Sequence, residues 1–217
     1  MAQTIWIARH GNRLDFVNPA WFSTAERRYD PPLSEDGVVQ AKQLAKRLKS
    51  SNIAHIFASP FLRTVQTAYE VAKELDLPIK LEAGLSEWLN PDWMTEMPKK
   101  LPPEVLAQKY PCIDLSYQSR FNPQYPESSA KLKMRTTVVA RRLVREYTED
   151  ILMVGHGAIV KGTTAALLGG KPEVNASLCC IVKLVKNGEG WDMELSGDTS
   201  HLTEVEENIR FNYSASR

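Results

Sequence analysis

Two of the four histidines in this 217-residue chain stand in matching settings. His10 follows the apolar run Ile5-Trp6-Ile7-Ala8 and lies in Arg9-His10-Gly11; His156 follows Ile151-Leu152-Met153-Val154 and lies in Gly155-His156-Gly157. A short apolar run stopped by glycine is the pattern of a buried strand. In open α/β sheets, ligands bind beyond the carboxyl ends of the strands. Two imidazoles placed independently at such ends are candidates for one shared site. Arginines strengthen the pattern. Arg9 and Arg13 flank His10, and Arg63 falls in Ser59-Pro60-Phe61-Leu62-Arg63-Thr64, in the first turn of a helix expected after the second strand. A helix N-terminus favours an anion, and a guanidinium adds a forked donor. Three arginines and two histidines at strand ends describe a pocket for a phosphate group.

The elements that must position these residues alternate between short apolar runs and amphipathic helical patterns, which predicts an α/β layered fold. Strands are expected at Thr4–Ala8, Ile53–Ala58, Pro78–Leu81 and Ile151–Val154, and a hairpin from Cys179–Val185 and Trp191–Leu195 about Asn187-Gly188. Helices are expected over Ser34–Lys49, capped by Ser34, over Phe61–Leu75, over Ser128–Tyr147, and from Gly157 to the glycine pair Gly169-Gly170. Between Gly84 and Glu127 lie seven of the thirteen prolines, together with Trp88, Trp93, Met94, Met97 and Tyr110. So long an irregular stretch carrying large apolar side chains is expected to be a lid or folded insertion, with a short helix near Glu104–Lys109. Trp21 and the stretch Glu26–Asp30 form a second candidate rim. The basic residues Lys131, Lys133, Arg135, Arg141, Arg142 and Arg145 share one expected helix and are read as its solvated face. His55 and His201 are read as structural, and Phe211–Arg217 as a frayed tail.

Composition bounds the function classes. With 27 Lys+Arg against 26 Asp+Glu, the formal charge is +1. That balance lacks the basic excess of generic nucleic-acid or membrane-surface binders. No apolar run approaches the ~20 residues that span a bilayer, and no basic n-region with an apolar core opens the chain, so neither a signal peptide nor a membrane partner is expected. Cys112, Cys179 and Cys180 form no disulfide or zinc-ligand spacing. They are read as small buried hydrophobes in a reducing, cytoplasmic protein. No P-loop or Gly-x-Gly-x-x-Gly run points to a nucleotide-driven kinase or a dehydrogenase.

Four segments in order carry a resemblance to a known family. They are Arg9-His10-Gly11, then Pro32-Leu33-Ser34-Glu35-Asp36-Gly37 with Gln40-Ala41, then Ala58-Ser59-Pro60-Phe61-Leu62-Arg63-Thr64-Val65-Gln66-Thr67-Ala68, and Gly155-His156-Gly157. Together they resemble the histidine phosphatase superfamily, the phosphoglycerate-mutase-like fold, over nearly the whole chain. The resemblance implies a single catalytic domain over residues 1–217: a three-layer α/β/α sandwich around a mostly parallel mixed sheet, with the Pro-rich insertion at about 84–127. It implies that His10 is a nucleophile forming a phosphohistidine, that Arg9, Arg63 and His156 hold the non-bridging oxygens, and that no metal or other cofactor is required. Glu87, in Leu85-Ser86-Glu87-Trp88, matches the family's general acid; Glu82 and Asp92 are its competitors, and Glu82 is read as a solvent-facing strand residue.

Departures from the mutase branch bear on the reaction. Glu87-Trp88-Leu89-Asn90-Pro91 replaces the mutases' acidic-Arg-aromatic-Tyr-Gly motif, and Ala158-Ile159 follows the second His-Gly where they have Asn-Ser. Arg13, three positions after His10, resembles the branch holding the phosphatase domains of ubiquitin-associated/SH3 signalling proteins, with Asn12 in place of their Glu. Both Arg13 and Asn12 are expected at the phosphate. Hydrolysis of a phosphate monoester is therefore expected over mutase transfer, over a degenerate member serving as a binding module, and over a metallohydrolase. The expected partner is a small phosphorylated substrate (phosphosugar, phosphoglycerate or nucleotide) or a phosphoprotein.

Overall fold

Short apolar strands alternating with amphipathic helices assemble here around one mixed sheet. The structure is a computed structural model and describes residues 2–203. β1 (Thr4–Arg9) is followed by two single-turn helices, α1 (Leu14–Val17) and α2 (Trp21–Thr24), and by α3 (Glu35–Leu48). Next come β2 (Ile53–Ala58), α4 (Leu62–Leu75), β3 (Ile79–Leu81) and a 3-10 turn at Ala83–Leu85. α5 (Pro103–Lys109) is the sole helix between that turn and α6 (Ser129–Glu146) among the described residues. β4 (Asp150–Gly155), α7 (Gly157–Leu168) and the hairpin β5 (Ile181–Asn187) and β6 (Gly190–Asp198) complete the order. The expected elements recur within a residue or two, except that β6 runs three residues past the expected Leu195; α1 and α2, too short for a periodic signal, are additional. The expected tail at Phe211–Arg217 lies outside the described residues.

The strand order is β3-β2-β4-β1-β5-β6. β3, β2, β4 and β1 are mutually parallel, and β5 and β6 close one edge antiparallel. Alternation along β1 divides the core. Trp6 and Ala8 join Leu44 and Leu48 of α3 and Val65, Ala68 and Val71 of α4 on one face. Ile5 and Ile7 join Val139 and Leu143 of α6 and Ile159 and Val160 of α7 on the other. The result is the expected α/β/α sandwich. The Pro-rich stretch packs back on this body: Leu106 and Ile113 enter the first core, and Leu89 and Met94 cover Phe61. None of the helices described is long and apolar enough to cross a membrane.

Candidate active site

Strand register brings the chemistry together. Arg9 pairs with Gly155 across β1 and β4, so the residues that follow, His10 and His156, emerge side by side. Ala58 pairs with Val154 and with Leu81, so Ser59 and Glu82 follow at the same edge. The His10 and His156 rings lie 5.3 Å apart, centroid to centroid, and both residues are fully buried. The loop carrying His10 is pressed against the start of α3. A Cβ on Gly11 would stand 2.6 Å from the Gly37 carbonyl oxygen, and one on Gly37 2.1 Å from that of Asn12. The close approach requires glycine at both positions.

His10 Nδ1 lies 2.7 Å from the Gly11 carbonyl oxygen. A carbonyl can only accept, so Nδ1 carries the proton and Nε2 keeps a lone pair. Arg63 Nε donates to that nitrogen at 3.3 Å. Burial, then Arg63, Arg9 and Arg13, hold His10 well below the usual histidine range. His156 is shifted the same way by burial, Arg63 and His10. Its Nε2 is 2.8 Å from Ser59 Oγ. Its Nδ1 sits between Arg63 Nη2 at 3.1 Å and Glu87 Oε2 at 3.3 Å. Arg63, itself buried, also donates to Glu87 Oε2 at 3.4 Å and to the Tyr29 carbonyl. Burial first, then Arg13, lowers the Arg63 guanidinium to about 10. Nearby, the Asp30 carboxylate accepts from the Leu62 N–H and so caps α4 from a distance.

Arg9, Arg13, Arg63 and Glu87 line a cavity of about 490 Å³ with Tyr29, Trp88, Trp93, Met94, Gly157, Ala158, Lys161 and Ala176. Arg9 is anchored through Nη1 to the Ala176 carbonyl, and its buried Nε has no partner. Arg13 is braced by a bidentate pair with the buried Asp15, at 2.9 and 2.6 Å. Among the described residues, His10, Glu87 and His156 offer ligand atoms within 4.8 Å of one another. The Arg63 N–H groups already point at all three, and their charge opposes a cation in that position. The donor set suits a phosphate: three guanidinium groups line one cavity beside a lone-paired imidazole and a carboxylate.

Of the expected site residues, His10, His156, Arg9, Arg13, Arg63 and Glu87 come together. Asn12 does not join them on the cavity wall. Its amide donates to Asp36 Oδ2, and its side-chain carbonyl accepts from the Arg13 N–H, so it braces the loop that carries Arg13. Glu82 is not solvent-facing. It is fully buried, accepting from the Gly84, Arg120 and Phe121 N–H groups and from the Tyr117 hydroxyl, and it ties down the turn before Glu87. Arg135 does not belong to a solvated face, being fully buried. Of the second rim, Tyr29 reaches the cavity, whereas Trp21 turns to the Arg28 carbonyl. Ser59 and Asp15 were not anticipated; the signals available were the strand-end Ser-Pro and a carboxylate two residues from Arg13.

The chain belongs to the histidine phosphatase superfamily: the model of its branch 1 matches residues 5–199. It is 34% identical over 181 residues to the transcription factor tau 55 kDa subunit of Saccharomyces cerevisiae, covering 78% of this chain and 42% of that one. It is 28% identical over 211 residues to the ecdysteroid-phosphate phosphatase of Drosophila melanogaster, covering 77% and 27%. The chain thus spans less than half the length of these relatives. Its fold matches the ecdysone phosphate phosphatase from Bombix mori, solved with tungstate, at a TM-score of 0.78 and 19% identity over 98% of each chain.

Proposed function

We propose that this chain is a metal-independent phosphomonoesterase working through a phosphohistidine. The observation that carries the reading is the lone pair of His10 Nε2, held unprotonated among three cavity-lining arginines and within reach of Glu87. Arg9, Arg13 and Arg63, with His156, take the non-bridging oxygens of a bound phosphate monoester. Those oxygens are stronger acceptors for a guanidinium than a neutral imidazole nitrogen is, so they draw Arg63 Nε away and free the Nε2 lone pair. Nε2 attacks phosphorus, the ester P–O bond breaks, and Glu87 delivers a proton to the departing alkoxide. Water then attacks the phosphohistidine and gives its proton to the Glu87 carboxylate. The P–N bond breaks, its electrons return to Nε2, and inorganic phosphate leaves. The cations stabilise the charge that moves through both transition states.

The stretch 84–127 is the substrate-facing insertion of a single catalytic domain, supplying Glu87, Trp88, Trp93 and Met94 to the wall. A cavity of about 490 Å³ lies within the range of small-molecule sites. Its aromatic wall suits a leaving group with an apolar body. Turnover of 4-nitrophenyl phosphate, followed with and without EDTA beside His10→Ala, tests the reading. We expect EDTA to leave the rate unchanged and His10→Ala to abolish it, with an acid-labile, alkali-stable phosphoenzyme trapped from wild type alone. An inactive wild type, loss of turnover in EDTA, or an active His10→Ala would each overturn it.

A further inference from the structure

Arg135 spends a guanidinium inside the protein without touching the cavity. It projects from α6 and uses all five of its N–H donors. Nε and Nη2 form a bidentate pair with Glu127 at 2.7 and 2.6 Å. Nη1 donates to the Gly84 and Ser86 carbonyls at 2.7 and 2.8 Å, and Nη2 also donates to the Glu87 carbonyl at 3.3 Å. Glu127 completes the frame from the other side. Its carbonyl accepts from Trp88 Nε1 at 2.8 Å, Oε2 accepts from the Leu89 N–H at 3.3 Å, and its own N–H donates to the Leu89 carbonyl at 2.9 Å. Every residue from Gly84 to Leu89 other than Leu85 is therefore bonded to this one pair. Glu87 stands in the middle of the pinned segment, with its carboxylate 3.3 Å from His156 and 3.4 Å from Arg63.

A buried ion pair is a weak source of stability, because removing both charges from water offsets most of their attraction. Simple packing does not account for a pair that binds three carbonyls of the one segment carrying the carboxylate. We propose that Arg135 and Glu127 are positioning residues, a clamp that sets the backbone beneath Glu87 so that its carboxyl meets the leaving-group oxygen. The inference rests on Glu87 as the proton donor. A displacement of about 1 Å at such a group costs on the order of 100-fold in rate. The cost falls on esters whose leaving group needs the proton.

The test compares 4-nitrophenyl phosphate, whose leaving group departs unaided, with 2-phenylethyl phosphate, whose alkoxide does not. In the double variant Arg135→Met/Glu127→Met, no charge is left buried and unpaired. We expect kcat/KM, which reports the steps up to departure of the leaving group and not the shared hydrolysis of the phosphohistidine, to fall roughly 10- to 100-fold on the alkyl ester and by less than about threefold on the aryl ester, the pattern of Glu87→Gln itself. Introduced into Glu87→Gln, the double variant should cost the alkyl ester nothing further. Equal losses on both esters, or losses that multiply in the Glu87→Gln background, would overturn the clamp. Should the double variant not fold, Arg135→Lys keeps the charge without the fork and decides by the same ratio. Glu87→Gln losing equally on both esters would instead overturn the acid role, and the clamp with it; an inactive wild type would overturn the phosphatase reading.

Discussion

At the scale of single residues, the site depends on keeping imidazoles neutral and aimed. His10 is aimed by a carbonyl of its own loop, His156 by a hydroxyl at the end of the neighbouring strand, and both by Arg63. The hydroxyl makes a definite prediction. Ser59→Ala leaves His156 Nε2 buried without a partner, a change worth about 1–3 kcal/mol. Urea unfolding should show that loss together with a reduced kcat; wild-type values of both would remove Ser59 from the orienting role. The motif histidines and arginines were legible because their types are rare at strand ends and have one obvious shared chemistry. Glu82 and Arg135 were misread for the complementary reason. A charged residue in a single sequence is assigned to solvent by default, and its burial becomes intelligible only through partners. Those partners, Tyr117 and Arg120 for one and Glu127 for the other, lie in the Pro-rich stretch whose path carries no periodic signal.

Elements were legible where a period could be counted. The stripe Val38, Ala41, Leu44, Ala45 and Leu48 predicted α3, four of these five being buried, and Ser34 caps the helix through the Gly37 N–H. On α6 the buried stripe runs through Arg135, Thr136, Val139, Ala140 and Leu143. Strand register was not legible, and register is what sets His10 beside His156. The loop between β1 and α3 fits only because two backbones touch. Gly37→Ala would drive a Cβ to 2.1 Å from the Asn12 carbonyl oxygen, where no flexible side chain can yield. Overpacking of this kind costs about 1–3 kcal/mol or more. Thermal unfolding of Gly37→Ala should register it, with a further loss of turnover because the loop carries His10 and Arg13; an unchanged midpoint would show that the loop can retreat from α3.

For the whole molecule, a formal charge of +1 conceals a concentrated cationic pocket, since Arg9, Arg13, Arg63 and Lys161 share one cavity. That local field has a global consequence through proton linkage. His10 and His156 are depressed by burial and by the arginines, whereas in the unfolded chain each takes a proton near pH 6.5. Below that pH the unfolded state binds more protons than the folded one, so stability rises with pH up to about 6.5 and is lost as the pH falls beneath it. Each histidine contributes a slope approaching about 1.4 kcal/mol per pH unit once the unfolded form is fully protonated. His55 and His201 are also lowered by burial and add in the same direction. Subtraction isolates the site. In His10→Gln, unfolding free energies measured from pH 7 to pH 5 should fall less steeply than in wild type, by roughly one proton's worth, so that the variant gains on wild type as the pH drops. Parallel curves would mean that His10 takes its proton as readily in the folded protein as in the unfolded chain, and the claim that burial and the arginines hold it neutral would fall.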